Sequence, residues 1–129
     1  MTWWRVAGIC GALGVGIGAF GAHGLEQTID PEHIERWWNT GARYHLLHSV
    51  ALLGVAAHPG AATGALAPRV AGWAFVVGIA LFSGSLYVMT LTGITKLGMI
   101  TPLGGLAFIA GWVALALSGG APASSGEEG

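Results

Sequence analysis

The chain has 129 residues, 53% of them apolar and only 9% charged, with a net charge of −1. A water-soluble domain this small has a large surface for its volume and usually carries about a quarter of its residues as Asp, Glu, Lys or Arg, so five basic and six acidic side chains cannot clothe it in water. Lipid must be the solvent, and the near-neutral balance lacks the basic face that phosphate backbones require, which excludes nucleic acid as a partner.

Long uncharged stretches lie between the ionised residues. A helix needs roughly 20 residues, at about 1.5 Å each, to cross a hydrocarbon core near 30 Å thick. On that measure the fold class is all-α: a polytopic membrane protein with four transmembrane helices at about 4–22, 42–57, 70–90 and 101–117. The first run, Val6 to Ala22, follows Trp3 and Trp4, which suit the headgroup zone. Its single flanking Arg5 and long apolar run suit a retained helix better than a cleaved leader. Cys10 lies inside this run, has no cysteine to pair with and reads as a small buried hydrophobe.

The second span opens on Asp30-Pro31-Glu32, an N-cap, a proline at the first helical position and an acidic first turn. Ile34, Trp37, Trp38 and Tyr44 recur at helical spacing among Glu35, Arg36 and Asn39. Residues 31–39 are therefore expected as a short amphipathic helix at the interface, turning near Gly41 into the second span, with one continuous helix as the alternative. His58-Pro59-Gly60 ends it. Proline in Ala67-Pro68-Arg69 and in Thr101-Pro102 opens the third and fourth helices, with Thr101 expected as a cap. Residues 118–129 form a polar, low-complexity segment expected to be a flexible tail. Arg5 and Arg69 fall on one side and Arg36, Arg43 and Lys96 on the other, a bias too small to set orientation.

Lipid gives no hydrophobic drive for helix association, so small residues must let backbones approach closely. Gly14 and Gly18 form a G-x-x-x-G; Gly11, Gly14, Gly18 and Ala22 share a stripe, and Gly104 and Gly111 lie on a ridge of the fourth helix with Ala107. They are expected to pack helices within the chain or between copies. Polar groups at membrane depth are costly and point to function or to specific contacts. His45 and His48 share a helix face, and His23 ends the first helix on the same side. With Tyr44, under Trp37 and Trp38, these histidines are the candidate cofactor-binding residues: for a metal through neutral imidazoles, a haem through axial ligation, or a quinone or proton relay. Against that stands a plain structural role, hydrogen-bonding carbonyls or interfacial water; His33 and His58 fall in loops. Ser83, Ser85 and Tyr87 are expected to make interhelical polar contacts. No G-x-S-x-G, Walker A, G-x-G-x-x-G or C-x-x-C occurs and no carboxylate lies inside a span, so no enzyme is expected, and no catalytic residue, metal or cofactor is assigned.

Several blocks carry a family resemblance. These are Gly18-Ala19-Phe20-Gly21-Ala22-His23-Gly24-Leu25, Trp38-Asn39-Thr40-Gly41, His48-Ser49-Val50-Ala51-Leu52-Leu53-Gly54, Leu81-Phe82-Ser83-Gly84-Ser85-Leu86-Tyr87, Ile100-Thr101-Pro102-Leu103-Gly104-Gly105 and Gly111-Trp112. In this order, over about residues 8–117, they resemble the domain-of-unknown-function family 423, or UPF0382 membrane proteins, which takes in small bacterial inner-membrane proteins and human transmembrane protein 256. The resemblance implies a multi-pass helical protein of the inner membrane and carries over no activity, cofactor or catalytic residue. The expected role is a non-enzymatic one, as a homo-oligomer or a subunit of a larger membrane complex. A cofactor-binding module built on His23, His45 and His48, or a small oligomeric channel or transporter, are the alternatives.

Overall fold

The computed structural model describes residues 1–119, and every regular element among them is helical. Helix α1 spans Trp3–Gly24; α2 covers residues 31–57; α3 is the short Pro59–Thr63; α4 spans Leu66–Thr92; α5 spans Thr101–Ser118. The tail expected from residue 118 lies, from residue 120 onward, outside the described residues. Three helical segments, Trp3–Gly24, Leu66–Thr92 and Thr95–Ser118, are long and apolar enough to cross a membrane. Helix α2 is diluted by Glu32, Glu35, Arg36, Asn39, Arg43, His45 and His48.

Local chemistry sets most helix ends. Asp30 Oδ1 accepts the Glu32 N–H at 2.9 Å and Pro31 occupies the first turn, so α2 starts where an N-cap and a preset φ coincide. His58 leaves helical geometry, and its Nδ1 accepts the Gly60 N–H at 2.9 Å to cap α3. Gly64 (φ 72°) and Gly93 (φ 70°) take the left-handed conformation that stops α3 and α4. A 3₁₀ turn, Thr95–Met99, then leads into α5.

Two expectations of local structure are corrected. The backbone does not turn at Gly41: it stays helical from 31 to 57, with a π-turn over Ile34–Trp38 closed by the Asn39 N–H on the Ile34 carbonyl. Gly41 is glycine because α4 lies against it, and a β-carbon there would meet the Tyr87 ring at 3.0 Å and the Ser83 carbonyl at 3.3 Å. Nor does Thr101 cap α5, since its hydroxyl pairs with Ser85 Oγ at 2.7 Å instead.

Helix α1 packs on α2, and α4 on α5, with α2 also lying along α4. One apolar cluster, including Ala7, Leu52, Val55, Ala71, Phe75 and Phe108, ties the four long helices together; a second, including Leu25, Trp38, Ala42 and Tyr87, closes the opposite end. The fully buried positions of α1 are Ala7, Gly14 and Gly21, seven apart. Of the stripe Gly11, Gly14, Gly18 and Ala22, only Gly14 is buried. A β-carbon on Gly14 would meet the Leu46 side chain and on Gly21 the Trp38 indole, whereas Gly18 only grazes Ala42 at 3.9 Å and Gly11 faces nothing within 4 Å. Gly104 abuts the Phe82 backbone and Gly111 the Phe75 ring.

Candidate functional site

The polar side chains at membrane depth form a chain of contacts running between helices. Ser83 Oγ, at the end of a second π-turn (Ile79–Ser83), donates to the Gly41 carbonyl of α2 at 2.7 Å. Two residues on, Ser85 reaches the opposite neighbour and pairs with Thr101 of α5. Tyr87 Oη meets His45 Nδ1 at 3.1 Å, and the Trp38 indole N–H donates to the Ile17 carbonyl of α1 at 3.1 Å. Ser83, Ser85 and Tyr87 thus each hold α4 to another helix.

His48 is the most connected of these residues. The Trp112 indole N–H donates to its Nε2 at 3.1 Å, which makes Nε2 an acceptor and places the ring proton on Nδ1, from where it is donated to the Tyr44 carbonyl at 2.7 Å. The imidazole lies flat on Phe108, centroids 3.5 Å apart and planes 9° apart, and Phe75 and Trp112 flank it. A metal or haem iron on His48 would have to displace one of its two hydrogen-bond partners.

The structure does not gather the three candidate histidines. His45 and His48 are 4% and 2% exposed, but His23 is on the surface. The reason is helical phase: Gly21 faces α2, and two residues further on the helix has turned roughly 200° away. Among the described residues no three His, Cys, Asp or Glu side chains come together as a metal site would need. His33 lies in α2, stacked on Trp37 at 4.3 Å, and His58 Nε2 reaches the Ser118 carbonyl at 3.3 Å, holding α3 to the end of α5. Sequence reasoning noted Trp112 only as part of the family resemblance and gave neither it nor Phe108 a role; their four-residue spacing on one helix was the available signal.

Beside this hub, a groove of about 590 Å³ opens on the outer surface between α2, α4 and α5. Tyr44, Leu47, Phe82, Gly105, Phe108 and Trp112 are among its walls.

The His45–Tyr87 bond can be isolated. Tyr87→Phe removes one hydroxyl and keeps the ring, and is expected to cost about 1 kcal/mol, within the range of interhelical hydrogen bonds in membranes. Thermal unfolding in mild detergent measures it. Tyr44→Phe, on a ring 39% exposed, is the control and leaves the midpoint unchanged.

A helical, polytopic membrane bundle with a polar seam is the class these features define. The chain belongs to the family described as "Protein of unknown function (DUF423)", whose model matches residues 17–105. It is similar to the UPF0382 membrane protein YwdK of Bacillus subtilis, 46% identical over 106 residues, covering 82% of this chain and 85% of that one. The UPF0382 membrane protein C1782.12c of Schizosaccharomyces pombe is 36% identical over 120 residues, covering 89% and 98%. The UPF0382 inner membrane protein YgdD of Escherichia coli is 38% identical over 112 residues, covering 82% and 79%. No solved structure matches the chain. It is a multi-pass membrane protein.

Proposed function

We propose that the chain crosses the membrane four times, α2 supplying the extra span from about residue 39, and works as a non-enzymatic component that self-associates or joins a larger assembly. Its 19 α-helical residues Asn39–Ala57 cover about 28 Å at 1.5 Å each, close to the hydrocarbon thickness. The observation that carries the assembly role is the satisfied interior: among the described residues no buried side-chain nitrogen or oxygen lacks a partner. Ser83, Ser85 and Tyr87 spend their buried polar atoms on bonds between helices, and Ser49 and Thr90 bond back to their own helix, so the buried oxygens and nitrogens are engaged in structure.

The outer face supports the same reading. Gly8, Ala12 and Gly16 are exposed at four-residue spacing on α1, a ridge against which a second helix backbone can approach closely. A β-carbon at Gly8 or Gly16 meets nothing within 4 Å, so a side chain there starts in open space outside the single chain's packing.

Native mass spectrometry of the full chain released from lipid nanodiscs tests the proposal. The expected mass exceeds the 13.1 kDa of one chain. If the added mass is a second copy, Gly8→Leu with Gly16→Leu is expected to return the protein to a single chain without lowering its unfolding midpoint. Isolation from its native membrane as one chain, without any companion, would sink the reading.

A further inference from the structure

We propose that the groove between α2, α4 and α5 is a binding site for an anionic phospholipid, one acyl chain lying along its aromatic wall and the phosphate held by Arg43. The groove is shaped for a tail. Leu47 and Trp112 on its walls are 55% and 45% exposed, so it opens sideways to the membrane, and its floor is the face of Phe108 beside Phe82 and Tyr44. A quinone ring needs hydrogen-bond donors at its carbonyl oxygens, but the two N–H groups nearest the groove, on Trp112 and His48, both donate within the protein. Apart from the single Tyr44 hydroxyl, what the groove offers an incoming molecule is apolar and aromatic surface, too few donors for the two carbonyl oxygens of a quinone.

Arg43 supplies the charge. It lies one helical turn from Leu47, on the same face of α2 and toward the end where α2 begins. That level is close to the membrane surface. Gly41 is bonded to Ser83, and Ser85, two residues on, is bonded to Thr101, the first residue of α5. Arg43 therefore stands about level with the mouth of α5, within reach of headgroups for a long side chain that extends toward water. It is exposed, and among the described residues the only ion pair is Arg36 with Glu32, so no carboxylate neutralises it. A guanidinium free of partners, one helical turn from the Leu47 wall of an apolar groove, matches a phosphate at the head of an acyl chain.

The full-length protein in mild non-ionic detergent is titrated with phosphatidylglycerol or phosphatidylcholine of the same acyl chains, with bound lipid read by native mass spectrometry. A basic residue near the surface favours anionic lipid by about fivefold, and that preference is expected for the wild type. Arg43→Gln is expected to make the two lipids equal, while Arg69→Gln, the same charge change near the start of α4, keeps the preference. Gly105→Leu fills the groove, its β-carbon touching Phe82 at an ordinary 3.9 Å; an unchanged unfolding midpoint checks that the fold is kept, and binding of both lipids is expected to fall. A preference that survives Arg43→Gln, or is lost equally in Arg69→Gln, overturns the proposal. So does lipid binding unaffected by Gly105→Leu, or a lipid-free dimer that Gly105→Leu dissociates, which would give the groove to a second copy.

Discussion

Gly104→Ala is expected to loosen the bundle more than any other single methyl added to a helix-packing glycine. The new carbon would fall on the Phe82 backbone, with Phe82 Cα at 2.7 Å. A flexible side chain could swing aside, but backbone inside a helix cannot, so α4 and α5 must separate. The cost is expected near the upper end of overpacking, about 3 kcal/mol, a fall in the midpoint of roughly 10 °C. The same substitution at Gly11, where nothing lies within 4 Å, is expected to leave the midpoint unchanged or slightly raised, and Gly18→Ala, facing Ala42 at 3.9 Å, to be nearly neutral. Thermal unfolding of the three variants in one detergent decides the matter. Equal midpoints for Gly104→Ala and Gly11→Ala would mean that the α4–α5 seam is not where the helices are held.

His48→Ala is expected to be the most damaging substitution of a polar side chain. It removes the ring stacked on Phe108, leaves the Trp112 N–H without its partner and the Tyr44 carbonyl with only its backbone bond, and opens a cavity between α2 and α5. Together these are expected to cost about 4 kcal/mol. His48→Phe keeps the stack and loses both hydrogen bonds, and is expected to cost about half as much, roughly 2 kcal/mol. Combined with Trp112→Phe, it tests the contact directly: the two substitutions are expected to be less than additive by about 1 kcal/mol, because each removes the same bond. Strict additivity would show that His48 and Trp112 do not interact in the folded protein. Neither measurement requires a ligand, so both separate the structural part of the histidine from any other.

Gly104 also shows where sequence reasoning stops. Gly104 could be read as a packing position because small residues four or seven apart on an apolar helix suggest close approach, yet Gly11 carries the same signal and faces nothing. Gly41 carried the signal of a turn and is instead the surface on which Tyr87 and the Ser83 carbonyl rest. Thr101, beside Pro102, read as a cap and is an interhelical hydrogen-bond partner. In each case the residue type states what is sterically or chemically allowed, and the neighbouring helix decides which use is made of it. His23 failed as a member of a histidine cluster for a related reason: proximity to a shared membrane face is a matter of depth, while contact also needs helical phase.

By itself, the sequence determined that the chain lives in lipid and is built of helices, because too few ionised groups remain to face water and every backbone polar group in a bilayer must be bonded internally. It also marked several helix ends, through Asp30-Pro31 and His58-Pro59, because caps and proline act within a few residues. Only the tertiary structure decided that His45 answers to Tyr87 and His48 to Trp112, residues 42 and 64 positions away. Such pairings depend on the rotation and depth of one helix against another, which side-chain packing along the whole length sets and no short stretch of sequence contains.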